Sequence, residues 1–592
     1  MTDYNPPLSD MNFLLNEVLE LGRIAELASF EDVSPDLIGA ILNEAGRFFA
    51  EVIAPSNRIA DMQGTRVENG RVLTAPAMDG LYQAYVQAGW PSLIGDPQFG
   101  GQGLPHLVGI AVEEMLQSAN LSFSLLPMLT MGVTTALMQF GSDAQQTYYL
   151  PRLISGEWAG AMNLTESQAG SDLAAVKTRA VPQDGHYLIT GQKIFISWGD
   201  HEFTDNIIHL VLARTPAAPA GVKGISLFIV PKNLCDANGK IERRNDVYPV
   251  SVEHKLGIHG SPTCVVNYGE NGGAVGFLVG QENEGLSYMF AMMNHARLSV
   301  GLQGVSIGQL AYQKARSFAM ERVQGNSDKT DGVRGIIQHP DVRRMLLLMK
   351  SQTEAGRVLT YAALSHWDLS THGADQEMRE FHRRRVDILT PIVKGWCTET
   401  ANEVTSLGVQ VHGGMGYIEE TGAAQYLRDA RIMAIYEGTN GIQALDLIGR
   451  KLLRDQGVAV RELFNDMDEI VAQCGGAGLE DIAQPTAAAL ARCRDAVEFI
   501  VRGAAADSHF SGAVAFDFMQ LMGTTISGCL MAKSATLAHS HLRENADDQG
   551  FWLAKMNTVR FFMQQIMPRT ETHLRIIQSG QAETMALNDE QF

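Results

Sequence analysis

Paired cysteines are missing from this chain. Its 592 residues contain six, at Cys235, Cys264, Cys397, Cys474, Cys493 and Cys529, and no two are spaced as Cys-x-x-Cys. Neither a zinc site nor a disulfide framework is indicated, and the thiols read as free core residues of a reducing compartment. Positive charge is scarce as well. Lys and Arg number 46 against 66 Asp and Glu, a net charge of −20. Phosphate backbones and anionic membranes need a clustered basic surface, so a nucleic-acid partner is not expected. The first twenty residues hold four acids and no Lys or Arg. They lack the basic start and apolar run of a secretory leader, and a cytoplasmic protein is expected. Apolar stretches are broken by polar residues short of the ~20 needed to cross a bilayer, so no integral membrane segment is expected. Internal repeats and low-complexity tracts are absent too.

What is present is an ordinary globular composition, 45% hydrophobic and 19% charged. A chain this long exceeds one hydrophobic core and should form three or four domains. A proline-bearing arm and a helical pattern through Met11–Leu19 fill residues 1–35. Residues 36–160 repeat apolar positions at i, i+3 and i+4, as helices do. Gly100-Gly-Gln-Gly-Leu-Pro105 interrupts them as a backbone turn, without the strand and helix context of a dinucleotide-binding loop. Across 161–283, β-branched and aromatic runs such as Tyr187–Thr190, Ile207–Leu212, Ile225–Val230 and Cys264–Tyr268 alternate with turn residues. They predict a compact antiparallel β-domain. Helical periodicity returns over 284–453, with a loop from Gln324 to Gly335, and continues through 454–592, where Gly475–Gly478 separates two helices. The fold class is α+β and mainly α.

The chain is organised around Arg428-Asp-Ala-Arg-Ile-Met-Ala-Ile-Tyr-Glu-Gly-Thr-Asn-Gly441. An apolar run, Ile432–Ile435, stops at a glycine-bearing turn, and a helical pattern resumes at Ile442. Glu437 is a carboxylate at a turn beside the core, where low polarity raises a carboxyl pKa toward the range of a general base. Position and composition alone favour a plainer role, a glutamate capping the next helix.

This stretch resembles the catalytic segment of the acyl-CoA dehydrogenases, whose Ile-Tyr-Glu-Gly-Thr run carries the base that removes the substrate α-proton. Other segments resemble the family's motifs in family order. Leu164-Thr-Glu-Ser-Gln-Ala-Gly-Ser-Asp172 is similar to its Thr-Glu-Pro-x-Ala-Gly-Ser-Asp, with Ser167 in place of the proline. On that resemblance Leu164, Thr165, Gly170 and Ser171 would contact FAD, through donors that suit a flavin edge or a pyrophosphate. Gly191-Gln-Lys-Ile-Phe-Ile-Ser197 places Phe195 and Ser197 at the flavin ring, although Phe195 reads equally as a strand residue facing the core. Lys255–Thr263 matches a turn beside the acyl pocket. Arg297, in Met293–Leu298, matches a substrate-placing arginine. Some branches carry their glutamate just before it, and here that position is Ala296, which cannot take a proton. Arg322 matches an arginine that pairs with the FAD pyrophosphate, and by itself reads as a surface arginine. Gln410-Val-His-Gly-Gly-Met-Gly416 resembles a loop whose Gln410 and Gly414 would reach the FAD of a neighbouring subunit. Thr439 would also contact FAD, and Ser171, Tyr436 and Gly438 the substrate.

The resemblance covers roughly residues 36–450 plus the arm, and most resembles large bacterial members with a C-terminal extension. Their substrates include 3-(methylthio)propanoyl-CoA, beside the short- to long-chain acyl-CoAs of the wider family. It implies an N-terminal helical domain, a central antiparallel β-domain, a C-terminal four-helix-bundle domain carrying the glutamate, and an extra helical domain. It further implies an acyl-CoA substrate, FAD, electron-transfer flavoprotein as electron acceptor, and a homodimer or homotetramer. An acyl-CoA oxidase would share the first half-reaction. A DNA-binding alkylation-response flavoprotein would need a basic C-terminal region, and from Asp455 onward there are 18 acids and 10 bases.

Overall fold

The computed structural model describes residues 4–325, 335–505, 507 and 509–592. The loop expected over Gln324 to Gly335 lies, except for its ends, outside the described residues.

The arm folds as a helix, Leu8–Phe13, that widens into a π turn, Leu14–Val18. Met11, Phe13, Leu14, Leu15 and Val18 are all buried, so the apolar period read in this segment faces inward. Helix α1 (Pro35–Phe48) starts where the Ser34 hydroxyl accepts from the Leu37 N–H, with proline at its first position. Helices α2 (His106–Ala119) and α3 (Leu121–Phe140) meet at Asn120, whose side chain caps α3 by accepting from the Phe123 N–H. Gly100 and Gly103, at φ +89° and +66°, make the turn before α2.

The sheet contains β1 (Trp158–Asn163), β2 (Arg179–Gln183), β3 (His186–Ser197), β4 (Asn206–Ala213), β5 (Ser226–Pro231), β6 (Val247–Val252), β7 (Thr263–Tyr268) and β8 (Ala274–Leu278). Their order is β6-β7-β3-β8-β5-β4-β1, with β2 paired to β3. All pairs are antiparallel except β1 with β4, which is parallel. Every residue of β1 and β4 is buried. Without an alternation of inside and outside, nothing in their pattern states direction.

Three long helices follow: α4 (Gly285–Glu321), α5 (Pro340–His372) and α6 (Gln376–His412). Helix α4 approaches α6 closely along small residues. A Cβ at Gly301 would lie 2.5 Å from Val393 Cγ1, and one at Gly304 would lie 2.6 Å from the Cys397 carbonyl oxygen. Short α7 (Ala423–Ala430), a 3₁₀ turn over Arg431–Ala434, and α8 (Asn440–Asp446), prolonged by a π turn over Leu447–Leu452, complete the bundle.

The extension adds α9 (Val458–Gly476), α10 (Glu480–Ala504), α11 (Phe510–Arg543), α12 (Gln549–Gln565) and α13 (Arg569–Ser579). It is locked to the bundle by shape and by charge. Gly523 of α11 accepts the Trp396 ring of α6, Met519 fills the notch at Gly395, and Trp396 Nε1 donates to Thr524 Oγ1 at 3.1 Å. Lys555 of α12 donates to Glu354 of α5 at 2.6 Å and to Asp10 of the arm. Phe13 packs edge-on against Phe551 and Trp552, so the arm lies between bundle and extension.

The expectation about apolar runs needs correction. Helices α3 and α11 are both long and apolar enough to cross a bilayer. Most of each is buried inside the protein, α3 against β1 and α4, and α11 against α5 and α6. Their apolar length serves the core. The six cysteines are free, five of them buried.

Candidate active site

The turn that ends the 3₁₀ segment carries Glu437 at φ +56° and Gly438 at φ +84°. A left-handed glutamate is strained, and such strain persists only where neighbours hold it. Arg297 Nε and Gln443 Nε2 both donate to the Glu437 carbonyl, each at 3.3 Å. Below the turn, Asn440 fastens α8 to α6: its amide nitrogen donates to Thr398 Oγ1 at 2.9 Å and Glu399 Oε1 at 2.7 Å. Lys394 Nζ donates to its Oδ1 at 2.8 Å. The cap of α8 is Thr439, whose hydroxyl accepts from the Ile442 N–H. Glu437 is therefore not the capping residue.

Among the described residues, the Glu437 carboxylate accepts no hydrogen bond and its backbone N–H donates to none. Burial pushes its carboxyl pKa up, while the charges of Arg297 and Lys394 pull the other way. Arg297 is itself buried, which lowers its pKa. Lys394 is fully buried, and burial brings it down to about 7, against the pull of Glu437. This is a carboxylate whose base strength is set by its surroundings, facing two cations that do not form hydrogen bonds to it. Ala296 is buried beside Arg297 and supplies no second base.

Tyr436, before the glutamate, donates its hydroxyl to Gln303 Oε1 of α4. Gln303 Nε2 donates to Met128 Sδ of α3 at 3.4 Å. Beyond Met128 lies a cavity of about 540 Å³ whose lining includes Tyr82, Tyr85, Trp90, Leu116 and Met131. On the other flank, the Lys255–Thr263 loop docks on α7. Ile258 N–H donates to Asp429, Arg428 reaches the Leu256 carbonyl at 3.2 Å, and Gly257 leaves no room for a Cβ against the Arg428 backbone. Burial and the nearby Asp61 charge raise the Asp429 pKa.

The loop after β1 is clamped to β3. Lys193 Nζ donates to the Leu164 carbonyl at 2.9 Å and to Glu166 at 2.8 Å, and the Ile194 N–H donates to the Thr165 carbonyl at 2.9 Å. Leu164 and Thr165 thus lie beside Phe195, which is 59% exposed at φ +59°. An aromatic ring held outward on strained backbone does not face the core. Ser197 pairs with Thr263 of β7, which joins this loop to the one docked on α7. Gly170 and Ser171 are exposed, a Cβ at Gly170 would meet nothing within 4 Å, and neither N–H has a donor bond among the described residues. Open backbone donors, an outward aromatic ring and small side chains are what a flat ring with a phosphate tail requires.

The remaining expected residues lie elsewhere. Arg322 caps the C-terminal end of α4, 25 residues beyond Arg297, which is about 37 Å along a helix. Gln410 and Gly414 lie at the same end, where Phe318 and His412 rings meet at 4.5 Å. Gln410 and Gly414 are exposed, with Met415, Tyr417 and Ile418 exposed beside them, Tyr417 at 86%. The structure therefore divides the expected site in two: Glu437, Arg297, Tyr436 and Gly438 at one level of the bundle, Arg322, Gln410 and Gly414 at another. Lys394 and Gln303 were missed. Each is a lone polar residue inside an apolar helical run, Ile392-Val-Lys-Gly-Trp396 and Val300-Gly-Leu-Gln-Gly-Val305, and that isolation was their signal.

The chain matches family models for the acyl-CoA dehydrogenase N-terminal domain over residues 39–157, the middle domain over 161–270 and the C-terminal domain over 283–453. Residues 463–588 match an acetyl-CoA dehydrogenase C-terminal-like model. It is 46% identical to 3-methylmercaptopropionyl-CoA dehydrogenase of Ruegeria pomeroyi over 98% of both chains. Its fold is similar to an acyl-CoA dehydrogenase complexed with FAD from Bacillus anthracis, with TM-score 0.74, 20% identity, and 96% and 91% of the two chains covered. It is also similar to a chain in a structure described as the electron transferring flavoprotein of Acidaminococcus fermentans, with TM-score 0.59, 27% identity, and coverage of 72% and 99%.

Proposed function

The chain belongs to the acyl-CoA dehydrogenase family and is an FAD-dependent oxidoreductase of acyl-CoA thioesters, and from that premise we propose that Glu437 is its catalytic base. The observation that carries the proposal is a carboxylate with a raised pKa and no hydrogen-bond partner among the described residues, on a turn held by Arg297 and Gln443. Its proton acceptor is the free carboxylate oxygen, and the proton it takes is the one on the carbon next to the thioester carbonyl. The Glu437 N–H is a fixed donor for the thioester oxygen, where negative charge grows as that proton leaves. Arg297 and Lys394 keep the base ionised in a pocket that burial alone would make too apolar for a charge. Bound FAD supplies the acceptor for the hydride from the β-carbon.

The Leu164–Ser171 loop, Phe195 and Ser197 would hold the flavin. Arg322, Gln410 and Gly414 are too far along the bundle to reach the same cofactor end as Glu437, so we assign them to the FAD of a partner copy. That assignment calls for a homodimer or a dimer of dimers, and the exposed Met415, Tyr417 and Ile418 suit the interface. The preferred acyl group is 3-(methylthio)propanoyl, on the likeness to the Ruegeria enzyme, and electrons pass on to an electron-transfer flavoprotein. The test is Glu437→Gln, mixed anaerobically with 3-(methylthio)propanoyl-CoA. FAD and thioester should still bind, while flavin bleaching slows by ~10²–10⁴-fold. Bleaching within a few-fold of the wild-type rate would remove Glu437 from this role.

A further inference from the structure

Gln303 is a polar side chain with no surface exposure. Its two ends have different partners. The carbonyl oxygen accepts from Tyr436, the neighbour of the base, and the amide nitrogen donates to the thioether sulfur of Met128 at 3.4 Å. A buried donor is expensive to leave unmade, so even this weak acceptor matters. Met128 has somewhere to go. It also lines the cavity of about 540 Å³ behind it, and methionine, unbranched with three rotatable bonds, changes place easily.

We infer that Gln303 determines specificity: its amide N–H receives the thioether sulfur of a 3-(alkylthio)acyl thioester, in the place that Met128 Sδ holds in the free protein. Met128 then withdraws into the cavity. The inference rests on the proposed placement of the acyl group beside Tyr436 and Glu437. It separates two acyl groups of equal length. 3-(Methylthio)propanoyl carries sulfur where pentanoyl carries a methylene. Both displace Met128, but only the first gives the amide a new acceptor. A buried donor left without a partner corresponds to a preference of about tenfold.

The experiment measures kcat/KM for 3-(methylthio)propanoyl-CoA and pentanoyl-CoA with the FAD-loaded full chain and two variants. The wild type should favour the sulfur substrate about tenfold. Gln303→Leu should bring the ratio close to one by losing rate on the sulfur substrate alone. Tyr436→Phe also breaks the Gln303 contact but keeps the amide donor, so its ratio should stay at the wild-type value. An unchanged ratio in Gln303→Leu, or the same collapse in Tyr436→Phe, overturns the inference and leaves the proposed reaction standing. A wild type that turns over neither thioester defeats the acyl-group assignment itself. Should Gln303→Leu fail to load FAD, Met128→Leu carries the test, because it keeps bulk and removes the competing sulfur. Its KM should then fall several-fold for the methylthio substrate alone, and an equal change for both substrates overturns the inference.

Discussion

Two buried polar regions of this molecule are built to opposite rules. Around Lys555, each charge is answered: Asp10 and Glu354 accept hydrogen bonds from its ammonium, and Arg357 donates to Asp10 and to both oxygens of Glu114. Around Glu437, the charges are only partly answered. Among the described residues the Glu437 carboxylate accepts no bond, Lys394 faces an amide oxygen, and Gln303 settles for a thioether. Burial would raise the Asp10 carboxyl, yet Lys555 and Arg357 hold it at about 2. Burial raises Glu437, and there the nearby cations do not reverse it. Desolvation acts in both places. Direct pairing turns it into attachment, and withheld pairing leaves reactivity.

The comparison can be broken most severely by removing one region. Ending the chain before residue 455 would expose the Trp396 face of α6 and leave Asp10 and Glu354 without Lys555. We expect insoluble protein, measured as loss of the soluble fraction. A soluble, fully active truncated dimer would show that the attachment is dispensable. A narrower cut is Lys555→Ala. Asp10 and Glu354 then lose the cation they share and keep only Arg357 and Lys350 on their outer sides, which should cost ~3 kcal/mol of stability in denaturant melts. Turnover per FAD should hold, because the site around Glu437 is untouched. The network also fixes an acid limb. Asp10 is lowered from its ordinary value to about 2, so its contribution is complete above the usual carboxylate range and is lost as pH falls toward 2.

The smallest effect sharpens the other side. Lys394 is lowered to about 7, so between that value and the ordinary lysine range the unfolded chain binds more protons than the folded one. Stability from this residue therefore rises with pH across that window and is flat below it. Lys394→Met should abolish that slope. It should also remove a charge that favours ionised Glu437, moving the acidic limb of the kcat profile to higher pH. A variant with the wild-type profile would show that Lys394 serves only to hold Asn440.

Much of this was legible in the sequence, and the limits have physical causes. The turn at Glu437 was legible because its signals are local: an apolar run, two glycines and a threonine within ten residues. The strands were legible from β-branched runs, but not the parallel pairing of β1 with β4, because strands buried on both faces lose their alternation. The roles of Lys394 and Gln303 depend on partners 46 and 175 residues away. No window on the sequence contains such pairs. The apolar length of α3 and α11 was underestimated because scattered polar residues hid a run that the helix gathers into one buried body.

The contact between Asp10 and Lys555 has a consequence for how the protein comes into being. The two residues are 545 positions apart, so at ~5–20 residues per second a ribosome needs about half a minute to two minutes to deliver the second after the first. For all that time the arm, made first, has at most Arg357 as a partner for its carboxylate and no aromatic wall at Phe551 and Trp552. Its seat is complete only when the last tenth of the chain emerges. A chain cut short by a premature stop or by a protease then carries a leading end that lacks Lys555 and its aromatic wall, beside a half-covered bundle.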